Sequence, residues 1–186
     1  MTFSRKHLSI ALILIATIGL ITSLLDNNSE PKESITLSAT ADRIPCKVLT
    51  VYDGDTVGCD LNADGKIQRP TEQIRFLGID TPERHYSKKN KTGKDKPFAV
   101  EAGDFTKEAT LKQTVYLEYD QQQFDPYGRT LAFVYQAPDA ETSVNEALLS
   151  NGYATTFIKA PNVKYQGRLN RALNRAQDQS KGMWGR

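Results

Sequence analysis

The chain has 186 residues and a formal net charge of +2, so an overall basic field is not what would draw it to nucleic acid. With the N-terminal region set aside, the remainder has the size of one domain, able to bury a single core and no more.

Arg5 and Lys6 precede an apolar run from Leu8 to Leu25, followed by a polar stretch from Asp26 to Ser34. A basic flank, an apolar segment and a polar exit mark an export signal over residues 1–25. The run is near the lower limit for a membrane-spanning helix. The small-residue site Ala39-Thr40-Ala41 lies far downstream, so cleaved signal and uncleaved anchor both stay open. A core helix is excluded because the run has no polar face. Residues 26–42 read as a disordered tether to a domain over residues 43–186. That domain is expected outside the cytoplasm, whether periplasmic, extracellular or membrane-anchored, and meets a membrane only through the N-terminal segment. Cys46 and Cys59 flank an Asp-Gly-Asp turn. A hairpin there would set them on facing positions, bridged in an oxidising compartment; two buried thiols are the alternative.

Lys47 to Tyr52 and Thr56 to Leu61 are β-rich and partly alternating on either side of that turn. Asn62-Ala63-Asp64-Gly65-Lys66 resembles a calcium loop but lacks the remaining ligands and a closing Glu, and reads as a plain turn. Gln73 to Ile79 is the next strand, and Arg84 to Lys96 is a basic loop without apolar periodicity. The sequence makes no partner for the His85 imidazole evident, and His85 reads as a loop histidine. Helices follow over Phe98 to Leu111, with Pro97 at the start and Phe98, Ala102, Phe105 and Ala109 near helical spacing, and over Val144 to Ser150. The second has Ser143 and Glu146 at capping-box spacing and Gly152 just beyond. Thr114 to Tyr119 and Thr130 to Tyr135 are the last two strands. Tyr165 to Ser180 forms a third helix with Leu169, Ala172, Leu173 and Ala176 on one face and a solvated face carrying Arg168, Arg171 and Arg175. Trp184 is expected to pack the C-terminus against the body. The class is α+β, mainly β: a five-stranded OB-type barrel with three helices.

Three turn-located motifs carry the chemistry: Asp53-Gly54-Asp55, Arg75 through Asp80-Thr81-Pro82-Glu83, and Asp125-Pro126-Tyr127-Gly128-Arg129. Alone, the first is an ordinary hairpin turn, the second a strand end before a helix cap, and the third a loop with a solvated Arg. Together they complete one mechanism. A phosphodiester resists attack, so a catalyst must neutralise its oxygens and supply an activated water. Arginine suits the oxygens, since its planar fork donates bidentately and keeps its charge. Asp55 and Asp80 offer hard oxygens with no His or Cys cluster, a donor set for calcium, magnesium or manganese. Pro82 stiffens the step to Glu83, whose carboxylate can then point away from the metal towards a water.

On these motifs the chain resembles the staphylococcal nuclease family from about Arg43 to Trp184. The resemblance implies a calcium-dependent endonuclease that hydrolyses DNA and RNA with little sequence selectivity. Water attacks phosphorus, the 5′ oxygen departs and 3′-phosphate ends remain. It implies that Asp55, Asp80 and the Thr81 backbone carbonyl ligate Ca2+, with Asp53 acting beside the metal through water. Glu83 matches the general base, Arg75 and Arg129 the phosphate-binding arginines, and Tyr127 a contact to the substrate phosphate. Phe157, in Thr155 to Pro161, falls where the family places base-holding aromatics; stacking on a base and a place in the core are both open. A second aromatic is not found there. A monomer is expected. The alternative is a non-catalytic nucleic-acid-binding OB module.

Overall fold

The computed structural model describes residues 43–85 and 93–185. The export segment, the tether and part of the basic loop lie outside the described residues.

Five strands close a barrel: β1 (Ile44–Asp53), β2 (Thr56–Asp60), β3 (Gln73–Phe76), β5 (Thr114–Glu118) and β6 (Thr130–Tyr135), ordered β1-β2-β3-β6-β5. Alternating β-branched and aromatic residues put Val48, Val57, Ile74, Phe76, Leu117 and Val134 inside, each at most 1% exposed. Closure depends on one parallel pair, β3 on β6, with Arg75 opposite Leu131. The other neighbours are antiparallel. Cys46 on β1 and Cys59 on β2 are joined by a disulfide spanning 13 residues of sequence. A loop of that size contributes about 2–3 kcal/mol by restricting the unfolded chain. Reductant is therefore expected to lower the Tm while the barrel, held by its own core, still folds; circular dichroism melts with and without reductant check this.

The expected strand Gln73 to Ile79 is two strands. Leu77 ends the barrel ladder by donating its N–H to Ala132 O at 2.9 Å. Gly78 then turns with φ +76°, where a Cβ would stand 2.3 Å from Leu169 Cδ1. Beyond the bend, β4 (Gly78–Asp80) leaves the barrel and pairs with β7 (Thr155–Phe157). Strand β7 is too short to show a periodicity of its own.

Three helices pack outside: α1 (Ala99–Thr110), α2 (Val144–Ser150) and α3 (Gln166–Asp178). Helix α1 begins one residue later than expected because Phe98 holds a left-handed φ of 67° at its N-cap. Its buried face runs through Ala99, Ala102, Thr106 and Thr110, while Phe105 and Ala109 are half-buried at its side. Thr106 donates its hydroxyl to Gly54 O at 2.6 Å, and Thr110 donates to Thr106 O at 2.6 Å. These small side chains let α1 lie against the Asp53–Asp55 turn. At Gly54 a Cβ would meet Ala102 Cβ at 2.8 Å. Ser143 caps α2 by accepting the Glu146 N–H at 3.1 Å. Arg168 and Arg175 of α3 pair with Glu146 instead of facing solvent alone, and Arg171 stays exposed. Trp184 is half-buried in a closing 3-10 turn over Gly182–Trp184.

Buried Glu118 ties the start of β1 to the segment entering α3, taking Arg43 Nε at 3.2 Å, Lys164 Nζ at 2.8 Å and the Tyr165 hydroxyl at 2.6 Å. Burial by itself would raise its carboxyl, but the hydrogen bonds from Lys164 and Tyr165, the Lys164 charge and the Arg43 bond hold it below its ordinary 4.5. A lowered folded value means stability that is present above the unfolded value and is lost as pH falls through the folded one. In an acid series of melts, Glu118→Gln is expected to remove part of the wild-type loss below about pH 4.5.

Candidate active site

The β1–β2 hairpin and the β3–β4 bend bring Asp55, Arg75, Asp80 and Thr81 together. Asp55 is 5% exposed. Its Oδ2 accepts the Thr81 N–H at 2.8 Å and the Thr81 hydroxyl at 3.1 Å, and its Oδ1 accepts the Thr56 hydroxyl at 3.1 Å. Arg75 stands opposite Thr56 in the β2–β3 register, and its guanidinium bridges two acids: Nη1 reaches Asp55 Oδ2 and Nη2 reaches Asp80 Oδ1, each at 2.7 Å. A guanidinium shared between two carboxylates in a recess of low dielectric is held in one orientation. Asp55 and Arg75 side chains are 7% exposed, whereas Asp80 is 39% exposed, so the cluster has a buried end and an open end.

Asp53 is half-buried behind this cluster and accepts the Asp55 N–H at 3.0 Å. Burial, reinforced by the neighbouring Asp55 charge, pushes its carboxyl up to about 7. Asp55 and Asp80 against one guanidinium, with Asp53 beside them, leave negative charge in excess around hard oxygen donors, a set that suits a hard divalent cation better than a soft metal. Among the described residues no group of three or more His, Cys, Asp or Glu side chains is placed to hold a metal ion by itself. Two carboxylates with a backbone carbonyl and water would make an open site instead.

Thr81 is buried, and Glu83, two residues on, is half-buried. The Glu83 carbonyl accepts the Lys96 N–H at 3.1 Å, closing the base of the loop between them. Arg129 immediately precedes β6, whose Leu131 stands opposite Arg75 in the parallel pair. Its guanidinium pairs with Asp125, whose Oδ2 takes Nε and Nη2 at 2.7 Å each. Asp125 Oδ1 meanwhile accepts the Tyr127 and Arg129 N–H groups at 2.9 Å. Asp125 thus sets both the turn and the guanidinium. The sequence reading assigned it no role, although its four-residue offset from Arg129 was visible.

Tyr127 is 78% exposed, with the Arg129 guanidinium 5.8 Å from its ring centre. Phe157 is 48% exposed and not a core aromatic. It pairs with Gly78 while Thr155 pairs with Asp80, so the ring and Asp80 share a face of the small sheet. Lys159 Nζ sits 4.6 Å over that ring. His85 does have a partner: Asp95 Oδ1 lies 2.8 Å from its Nδ1 and accepts its backbone N–H at 2.6 Å. The pair clips the loop. In the 62–66 turn Asp60 and Asp64 accept backbone N–H groups of the turn itself, a loop as read.

A second residue absent from the sequence reading is Asn145, fully buried in α2. It accepts the Val134 N–H at 2.9 Å and donates to Leu77 O at 2.9 Å, pinning the bend that aims Asp80 and Thr81. A lone buried Asn leaves no periodic trace.

The family described as Staphylococcal nuclease homologue matches residues 73–186, from β3 to the C-terminus. The chain is 39% identical to the Thermonuclease of Staphylococcus hyicus over 93% of its own length and 94% of that protein. It is 36% identical to the Thermonuclease of Staphylococcus intermedius over 75% of each. To the Probable endonuclease LCL3 of Komagataella phaffii it is 24% identical over 100% of this chain and 93% of that protein. With a closed five-stranded barrel, the acid and arginine cluster on its rim and this degree of identity along nearly the whole length, the chain belongs to the staphylococcal nuclease family.

Proposed function

We propose that this protein is an exported, calcium-dependent endonuclease that hydrolyses DNA and RNA with little sequence selectivity and leaves 3′-phosphate ends. Membership of the family makes it a nuclease, a hydrolase of phosphodiester bonds. The observation that carries the finer reading is Arg75 bridging Asp55 and Asp80 at a rim with one open end. Asp55, Asp80 and the Thr81 carbonyl would hold calcium, which when bound polarises the phosphate.

The chain's own groups supply the rest. Glu83 takes the proton of the attacking water. Arg75 trades part of its carboxylate pairing for phosphate oxygens. Arg129 donates Nε and Nη2 to Asp125 and presents Nη1 to the same phosphate, whose charge grows as attack proceeds. Tyr127 and Phe157, both exposed beside this face, contact the flanking nucleotide, Tyr127 at its phosphate and Phe157 through its base. Export is supported by the apolar N-terminal run and by the disulfide.

Calcium is expected to support cleavage far better than magnesium, because an open, flexible oxygen site suits calcium while magnesium requires a tighter octahedron and sheds water reluctantly. Digestion of DNA under each ion, with end-group analysis of the products, tests this. Equal rates, or 5′-phosphate ends, count against the reading. Intact binding with no cleavage under any divalent ion would favour a binding module on the same barrel.

A further inference from the structure

A groove opens on the far side of Asp53, between β1 and α1. It encloses about 480 Å3, within the range that accepts a small ligand. Leu49 and Asp53 stand on its strand wall. Its helix wall carries Gly103, Lys107 and Leu111, spaced by four so that they run down one stripe of α1 to its C-cap. Lys112 follows at the end.

Two features separate this groove from an incidental crease. It borders the centre already described: Asp53, which ends its strand wall, accepts the Asp55 N–H at 3.0 Å, and Arg84 on its lining follows Glu83 in the chain. Its charge is also graded. Asp53 and Arg84 stand at the centre end, and beyond them Lys107 and Lys112 face a single acid, Asp104. Among the described residues neither Lys107 nor Lys112 forms an ion pair. Leu49, 36% exposed, and Leu111 add an aliphatic surface. Cations on a groove that also offers apolar surface match a polyanion whose bases are uncovered, which is a single strand and not a duplex. At Gly103 a Cβ would come no nearer than 3.6 Å to Arg84 Nη1, and its absence keeps the helix wall low where the groove leaves the centre.

We propose that this groove holds the substrate strand beyond the scissile phosphate, with Lys107 and Lys112 on its backbone phosphates. The inference rests on the nuclease reading and extends it to substrate length and strandedness. One arm of the strand passes Tyr127 and Phe157, and the other follows α1. A longer single strand then binds better than a dinucleotide, and the advantage shrinks with salt.

The test compares the full-length wild type with the double variant Lys107→Gln/Lys112→Gln in calcium, on single-stranded dodecathymidylate and on a thymidine dinucleotide with one phosphodiester bond. Binding of the labelled oligomer is read separately by fluorescence anisotropy. The groove variant is expected to raise the oligomer KM and Kd about five- to tenfold and to reduce the salt slope by about 1.4, two single-strand phosphates at about 0.7 each, with kcat unchanged. Dinucleotide kinetics should stay at wild-type values. Lys66→Gln/Lys181→Gln removes the same charge outside the groove and should change neither substrate. Wild-type oligomer binding by the groove variant, equal losses on both substrates, or the same loss in the control pair would each overturn the proposal. If the wild type cleaves neither substrate, the nuclease reading fails, and the anisotropy difference alone then decides the groove.

Discussion

Glu83→Gln is expected to lower turnover by about 10²–10⁴-fold while DNA binding stays nearly unchanged. The amide has the size of the carboxylate and keeps an acceptor oxygen, so the step from Pro82 and the closed loop base at Lys96 are preserved. What it cannot do is take up a proton from water. Burst or single-turnover kinetics should show the loss in the chemical step. A variant with near-normal turnover and weakened binding would make Glu83 a ground-state contact and would move the base elsewhere.

Asp55→Ala should abolish both activity and the thermal response to calcium. At a calcium concentration one hundredfold above its Kd, a single site raises stability by about 2.7 kcal/mol, an easily measured shift in Tm. Removing Asp55 deletes a proposed ligand and also frees Arg75 Nη1, the Thr81 N–H and the Thr81 hydroxyl from their shared acceptor. Arg75 keeps Asp80 at 2.7 Å, so the guanidinium is not left uncompensated and the barrel should still form. Scanning fluorimetry with and without calcium reads the result. A calcium-induced shift equal to that of wild type would place the cation away from Asp55.

How much of this could be seen in the sequence depended on whether the information was local. The β1–β2 hairpin, the Ser143 cap and the third helix follow from alternation, capping chemistry and helical spacing, and they stand close to where those patterns put them, although β1 already begins at Ile44, ahead of Lys47. The three motifs also revealed the acids and arginines, since each is a short stretch of unusual residue types. Long-range facts left weaker traces. The parallel closure of β3 on β6 joins segments more than fifty residues apart, and no local pattern encodes the pairing. The bend at Gly78 was hidden because an apolar run reads as one strand whether or not it changes partners. The Thr106 and Thr110 face of α1 was missed because hydroxyls count as polar in a hydrophobic pattern, although here they bond inward. For Arg75, its type was legible but not that its fork spans Asp55 and Asp80.

The central claim is metal-assisted hydrolysis of a phosphodiester at the Asp55–Arg75–Asp80 cluster. Its most direct test is digestion of DNA by the purified protein in calcium and in excess chelator, followed on a gel. Extensive, sequence-indifferent cleavage is expected with calcium, none with chelator, and recovery when calcium is restored. Undiminished cleavage in excess chelator would contradict the claim.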